Sequence, residues 1–493
     1  MPAISRLSLF LVLICIVLLM SGGALAANVR GLDIHFTDIY SREVLYHYLQ
    51  NDYITALSVP AAVQDGTTSD RLLTNTDLLL AQAYLAYGLH NNVDELFRRT
   101  IDNNISPRLL ARTQLDLAWV YYHRGNYRRA EEILTQVGDS VAGDLKEERQ
   151  VLLGDVLQAQ GRVERAVQAW GMLTGESDWT YYGRYNRAIA LQTLKRVDEA
   201  RSALEQLALV SGASDEITAL RDKANLALGN TYLEEKSFDR AQTYFERIPA
   251  GSPYYREALL NLGWCKSLSR QQQAALVPWQ KLQAGDVTDP QVQQALIAVP
   301  YALAKLGNDA ESLERNQDAI SVFSAQLEAI DAAIISLNEG PLLDQLLSLK
   351  PDPKSGGVKL TTSFLAARGA SYLVDLLARN EFQAAYSSYR DLRVLRRSLT
   401  GWNTDIKSYS RVLQTRSKFA ALSKQLDVSR DRISQLLVEV DSLTDIHKNY
   451  IRDLAITSLN QDKERLKQYL GYVRLAAAQI YDVRFVKQEG RRP

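Results

Sequence analysis

Catalysis needs a nucleophile beside a base, a pair of carboxylates at working distance, or a cluster of metal ligands. The five histidines, His35, His47, His90, His123 and His447, stand at no metal-binding spacing such as His-Glu-x-x-His. The chain has no Cys-x-x-Cys, no Gly-x-Gly-x-x-Gly, no phosphate-binding loop and no Gly-x-Ser-x-Gly elbow. Adjacent acids such as Glu131-Glu132 and Glu147-Glu148 fall on helical stretches, where a solvated face explains them. The basic groups Arg124/Arg128/Arg129 and Arg393/Arg396/Arg397 read the same way. For the second group the functional alternative is an anionic polysaccharide or phospholipid. The expectation is therefore no catalytic residue, no metal, no cofactor and no enzyme.

What remains is a surface for binding, and the elements that would position it are set by an internal repeat. A small residue is followed twelve positions later by alanine, four beyond that by a large apolar residue, and three further by another apolar one. This frame recurs at intervals of roughly 34–41 residues. The first column reads Val44, Ala81, Ala118, Gly154, Ala188, Gly229, Gly263, and the second Ala56, Val93, Ala130, Ala166, Ala200, Ala241, Ala275. The large column reads Pro60, Phe97, Leu134, Trp170, Leu204, Phe245, Trp279. Antiparallel helices approach closely only where side chains are small, so the first two columns mark helix–helix contact. The bulky column is expected to fill space toward the next hairpin. Triplets such as Gly125-Asn126-Tyr127 and Gly161-Arg162-Val163 supply the turn, with glycine ending the first helix.

This pattern resembles the tetratricopeptide repeat. The best matches are residues 111–144, 147–180 and 222–255, and in the last of these Leu228, Gly229, Tyr232, Ala241, Phe245 and Pro253 stand on the family's consensus positions. The resemblance covers residues 37–290 or so and departs from the family at Val44 and Pro60, as terminal repeats do. It implies an all-α fold, a right-handed superhelical array of hairpins whose first helices line a concave face that grips an extended or helical peptide. The family's groove positions, carried into this frame, fall on Gln82, Trp119, Tyr122, Asp155, Gln158, Tyr182, Tyr185, Gln192, Asn230, Glu234 and Trp264. Aromatics mixed with amides suit recognition, because Trp and Tyr offer large contact area at small entropy cost. The competing reading of Trp119, Tyr182 and Trp264 is packing between neighbouring repeats.

Beyond residue 310 the period changes. Leu313, Ile320, Phe323, Leu327, Ile330, Ile334 and Leu337 form a heptad seam, and Leu392, Leu395, Leu399, Trp402, Ile406, Tyr409 and Leu413 a second. A third helical stretch, 428–483, carries Ile433, Leu436, Val440, Leu443, Tyr450, Leu454, Leu466, Leu470 and Val473. Three long helices are expected to pack on one another as a bundle or coiled coil. Intermolecular pairing would bury the same stripes, so a homodimer stays open beside the intramolecular bundle. Prolines and glycines make residues 350–362 a linker.

Arg6, the apolar run of residues 7–20 and the small residues Ser21 to Ala27 have the layout of a secretory signal peptide. An uncleaved membrane anchor is the weaker alternative, because a spanning helix needs about 20 apolar residues. Loss of residues 1–27 would leave Cys265 as the one thiol, so no internal disulfide is expected, which suits a periplasm. Cys265 is expected to be buried and inert. The chain is thus expected to divide into a signal peptide (1–27), the array (28–310), a long heptad helix (311–349), the linker (350–362), a long-helix bundle (363–486) and a tail (487–493). With 57 basic and 57 acidic residues it lacks the basic excess of a nucleic-acid binder. The expectation is a periplasmic scaffold that binds an envelope protein. The alternatives are a self-associating structural protein and a glycan-binding accessory of polysaccharide handling.

Overall fold

A computed structural model describes residue 84 and residues 107–123, 125–138, 143–211, 214–351, 358–413 and 420–489. The chain divides into two units after Leu282. The described part is all-α apart from one two-residue antiparallel pair, Lys350–Pro351 (β1) with Val358–Lys359 (β2).

The first unit is a run of helical hairpins: α1 (Pro107–His123) with α2 (Tyr127–Val137), α3 (Asp144–Ala159) with α4 (Val163–Gly171), α5 (Asp178–Thr193) with α6 (Val197–Ala208), α7 (Asp215–Glu234) with α8 (Phe238–Glu246), and α9 (Tyr255–Leu268) with α10 (Gln272–Gln283). Hydroxyl and amide caps start several of them. Ser177 accepts from the Thr180 N–H and Ser214 from the Ile217 N–H, using orphan donors of the first turn. Each turn holds one residue in the left-handed region: Gly125, Gly161, Lys195, Lys236 and Arg270. Two backbone bonds close each first helix. At Lys236 they run from its N–H to the Leu233 carbonyl (3.0 Å) and from the Ser237 N–H to the Tyr232 carbonyl (2.8 Å). Glycine fills this position in two turns; lysine fills it in the turn triplet Lys236-Ser237-Phe238 and at Lys195, and arginine at Arg270, at a cost of roughly 1 kcal/mol each.

The small and large columns touch each other within one hairpin. A Cβ added to Gly154 would lie 2.2 Å from the Trp170 ring nitrogen, one on Gly229 2.4 Å from the Phe245 ring, and one on Gly263 2.2 Å from the Trp279 ring nitrogen. Glycine therefore faces an aromatic ring, whereas Ala118 and Ala188 belong to hairpins that carry the smaller Leu134 and Leu204. Both indoles spend their N–H in the same way, Trp170 on the Val151 carbonyl (3.2 Å) and Trp279 on the Leu260 carbonyl (3.0 Å). The large column thus closes its own hairpin and also packs toward the next one, where Trp170 reaches Gly183 and Leu134 joins Leu145 and Leu152. Cys265 is fully buried, and burial pushes its thiol up to about 12, which removes its nucleophilic form.

The second unit begins with α11 (Pro290–Lys305), which turns at Gly307 into α12 (Asp309–Glu339). Short helices follow: α13 (Pro341–Ser348), α14 (Thr362–Leu365), a 3₁₀ turn (Ala370–Leu373) and α15 (Val374–Leu377). Two long helices end the chain, α16 (Asn380–Leu413) and the 70-residue α17 (Ala420–Glu489), which at 1.5 Å per residue is about 105 Å long. These do not form one three-helix bundle. The first half of α17 runs antiparallel to α16, where Ile433 and Val440 pack with Leu392, Leu395 and Leu399 and Asp441 pairs with Arg396 at 2.5 Å. Its second half runs antiparallel to α12. Leu313 meets Ala477 and Ile480, Phe323 meets Tyr469, and Asp331 pairs with Lys463. Where α17 changes partner, Leu346, Phe364, Leu373 and Phe382 close around Ile451, Ala455 and Leu459.

The seams are corrected accordingly. Phe323, Ile330 and Leu337 are fully buried, but Trp402, Tyr409, Leu443 and Tyr450 lie 42–63% exposed. The buried line of α17 passes instead through Ile451, Ala455, Leu459, Leu466 and Val473. A straight 3.6-residue helix drifts against a 3.5-residue seam, and a helix that exchanges one partner for another need not hold a single register.

Candidate partner-binding groove

The first helices of successive hairpins touch one another along the array, α1 on α3, α3 on α5, α5 on α7 and α7 on α9. The second helices pack on their own first helix and then on the next first helix. The crowded side of such a stack is its inner side, so α1, α3, α5, α7 and α9 supply the concave face.

The residue after each small-column position lies on this face: Trp119, Asp155, Ile189, Asn230 and Trp264. Three of these reach across to the next first helix in the same way. The Trp119 indole N–H donates to Glu148 Oε1 (3.0 Å). Asn186 Nδ2 donates to Asp155 Oδ1 (2.9 Å), and Asn261 Nδ2 to Asn230 Oδ1 (2.8 Å). Gln192 continues the ladder to the Thr231 hydroxyl (3.1 Å). At the start of the face Arg112 bridges Asp116 and Glu148. Polar groups bonded between repeats fix the spacing of the helices, while their outer edges stay half-exposed.

The aromatic residues are unequal. Trp119 stacks edge-on to Tyr122 (5.9 Å) and lies 6.2 Å from Trp179, which is followed by Tyr182 at 6.3 Å. The Tyr182 hydroxyl donates to Glu216 (3.1 Å) and its ring is half-buried. Tyr122 and Tyr185 are half-buried against core clusters, and Trp264 packs edge-on against the buried Trp279 at 4.9 Å. Gln158 is half-buried, Glu234 is exposed, and Gln82 lies outside the described residues. The face also includes Trp179, Asn186, Lys223, Glu257 and Asn261, which the family positions did not name. Asn186, Lys223, Glu257 and Asn261 stand three or seven residues before the reaching position of their own helix, on the same stripe, so helical periodicity alone could have found them.

Burial shapes the electrostatics. Asp155 rises to about 7 because it is desolvated, with the Asn186 bond pulling the other way. Glu257 is raised by burial and held back by a bond from Asn230. Tyr122, Tyr182 and Tyr185 all sit above the usual phenol range, first from burial and then from nearby carboxylates, Asp155, Glu216 and Glu257 respectively. Burial lowers Lys223 to about 8; its ammonium sits 4.6 Å from the Tyr185 ring centroid. Among the described residues no group of three His, Cys, Asp or Glu is placed to hold a metal ion.

Residues 111–136, most of α1 and α2, match the family model of the tetratricopeptide repeat. The α1–α2 hairpin is thus a tetratricopeptide repeat, and the hairpins through α10 repeat its frame. No curated protein matches the chain. Solved structures that resemble the tetratricopeptide chain include the C-terminal part of a TPR repeat-containing protein from Cytophaga hutchinsonii (14% identity, 52% of this chain and 99% of that one, TM-score 0.41). Others are the apo quorum sensor NprR from B. thuringiensis (8%, 57% and 97%, 0.29) and the TPR2AB domain of yeast Sti1 in complex with pHSP90 (11%, 51% and 90%, 0.21). Tetratricopeptide arrays are typically protein-binding scaffolds without catalytic activity.

Proposed function

We propose that this chain is an exported adaptor that captures a protein partner on the concave face of its tetratricopeptide array. The observation that carries this is the half-exposed line Trp119, Trp179 and Tyr182 on the first helices, continuous with amide ladders whose outer edges remain accessible. Rigid aromatics held in place by neighbouring repeats are preorganised for binding. Export to the periplasm is supported by the signal-like residues 6–27. A place in cell-envelope assembly is proposed by analogy alone.

The test is cross-linking in the native envelope, then affinity purification and mass spectrometry, with wild type set against a groove variant. Tyr122, Tyr185 and Trp264 hold the core, so truncating them confounds binding with folding. Gln158→Ala, Tyr182→Ala and Glu234→Ala together remove accessible groups instead. One envelope protein enriched by wild type and lost by the folded triple variant is the expected result. Undiminished capture would overturn the groove assignment.

A specific observation favours a second reading. Trp402, Tyr409, Val428 and Val438 are 42–71% exposed on α16 and α17, an apolar surface suited to self-association of the second unit. Sedimentation velocity decides it, because a monomer at every concentration excludes a self-assembling structural role.

A further inference from the structure

We propose that the concave face selects a basic partner, a peptide segment whose Lys or Arg side chains lie against the groove tyrosines and their neighbouring carboxylates. This rests on the reading of the concave face as the partner site.

The motif is a tyrosine beside an acid, repeated along the array. Tyr122 lies near Asp155, Tyr182 donates to Glu216, and Tyr185 lies near Glu257. The rings offer negative faces, and each acid adds negative potential beside one of them. Neither Asp155 nor Glu257 forms an ion pair among the described residues; Asp155 is held by Asn186 and Trp170 and Glu257 by Asn230, neutral donors that bring no positive charge. Elsewhere on the face Arg112 is already shared between Asp116 and Glu148. Lys223, a cation of the face, shows what these rings accept: its ammonium rests 4.6 Å from the centre of Tyr185, with no carboxylate paired to it among the described residues. A ligand cation at Tyr182 would find a ring of the same kind and the Glu216 carboxylate as well. Burial supports the assignment, since an undersolvated carboxylate gains most from an incoming cation. Acidic and neutral segments would meet like charge or unrelieved desolvation on this surface.

The experiment is fluorescence anisotropy with three labelled dodecapeptides, a Lys/Arg–Gly–Ser sequence and its Glu and Gln counterparts, on the purified chain in physiological salt. The basic probe is expected to bind at least about tenfold more tightly than the others, and to weaken as salt rises. The isosteric set Asp155→Asn, Glu216→Gln and Glu257→Gln should cut that affinity about tenfold with the melting profile kept, and Lys223→Gln should raise it severalfold. Equal binding of all three probes, or basic-probe binding unchanged in the acid-neutral variant, would overturn the proposal. If no probe binds while the envelope partner is still captured, charge selection fails and the groove stands; if both fail, both fall. A rise in basic-probe affinity when the chain is shortened to end at residue 482 would assign the face to the chain's own basic tail (Arg484, Lys487, Arg491, Arg492) and overturn a separate partner.

Discussion

The two units solve the same problem, burying one stripe of each helix, over different distances along the chain. In the array the deciding contact joins residues sixteen apart, Gly154 to Trp170 or Gly263 to Trp279, and the same solution is used hairpin after hairpin. In the unit after Leu282 the deciding contacts join residues far apart, Asp331 to Lys463 and Gln317 to Tyr481, and each occurs once. A local, repeated solution tolerates change at one hairpin because its neighbours carry their own cores. A long-range seam has no spare copy. Core loss should therefore cost more, and propagate further, in the second unit.

The sharpest break is at the point where α17 changes partner. Leu459 is fully buried, whereas Leu443, two heptads or so earlier on a naive seam, is 45% exposed. Leu459→Ala should destabilise by about 2–5 kcal/mol. Leu443→Ala should stay within about 0.5 kcal/mol. Urea unfolding followed by far-UV dichroism measures both. Similar costs at the two sites would mean that the heptad register read from the sequence, and not the observed one, governs this helix.

Glycine makes the next contrast. Gly263 has no room for a methyl group, since the Trp279 ring occupies it, whereas the helical Gly471 of α17 has open space around it. Gly263→Ala should cost about 1–3 kcal/mol through overpacking. Trp279→Leu in that background should recover part of the loss, because it recreates the Ala–Leu combination of the α5–α6 hairpin. Gly471→Ala should instead stabilise by about 0.5–1 kcal/mol. Thermal melts of four variants, the two singles at 263 and 279, their double and Gly471→Ala, suffice, and simple additivity of Gly263→Ala with Trp279→Leu would refute the pairing.

The same contrast explains what could be read from the sequence. The hairpins were legible because Gly or Ala, then Ala, then a large apolar residue recur in one frame, and this frame is the contact itself. Only half of its reach was legible: the large column does pack toward the next hairpin, but spacing does not show that the same ring also fills the gap left by the glycine of its own hairpin. Trp402, Tyr409, Leu443 and Tyr450 were placed on seams because 3-4 spacing marks an apolar stripe but not its partner, and α17 has two partners. On the groove, the family positions led to Trp119, Asp155 and Asn230, each now seen bonded to the next first helix. They did not name Asn186, Asn261 or Glu257; periodicity puts these on the same stripe, but which residue each bonds to needed the stacking of first helices. Nor did composition signal these acids: a neutral chain hides a face on which Asp155 and Glu257 have no ion-pair partner among the described residues.

Those uncompensated acids give the smallest and most diagnostic effect. Asp155 in the array and Asp391 in the second unit are both raised by burial, to about 7 and about 6, but Asp391 has Arg390 beside it, whereas Asp155 is held by the neutral donors Asn186 and Trp170. A carboxyl raised in the folded state binds more protons folded than unfolded between its ordinary value near 4 and its folded value, so its contribution to stability falls as pH rises through that window. The penalty is complete above pH 7 for Asp155 and above pH 6 for Asp391. Asp155→Asn keeps an acceptor for Asn186 and removes the charge. It should match wild type near pH 4 and gain progressively toward pH 8, by on the order of 1 kcal/mol or about 2–4 °C in melting temperature. Asp391→Asn should gain less and level off sooner, because the variant also loses the attraction to Arg390. Melting curves at pH 4, 6 and 8 check both. A pH-independent difference at Asp155 would mean that its carboxylate is solvated in the groove and needs no cation from a partner.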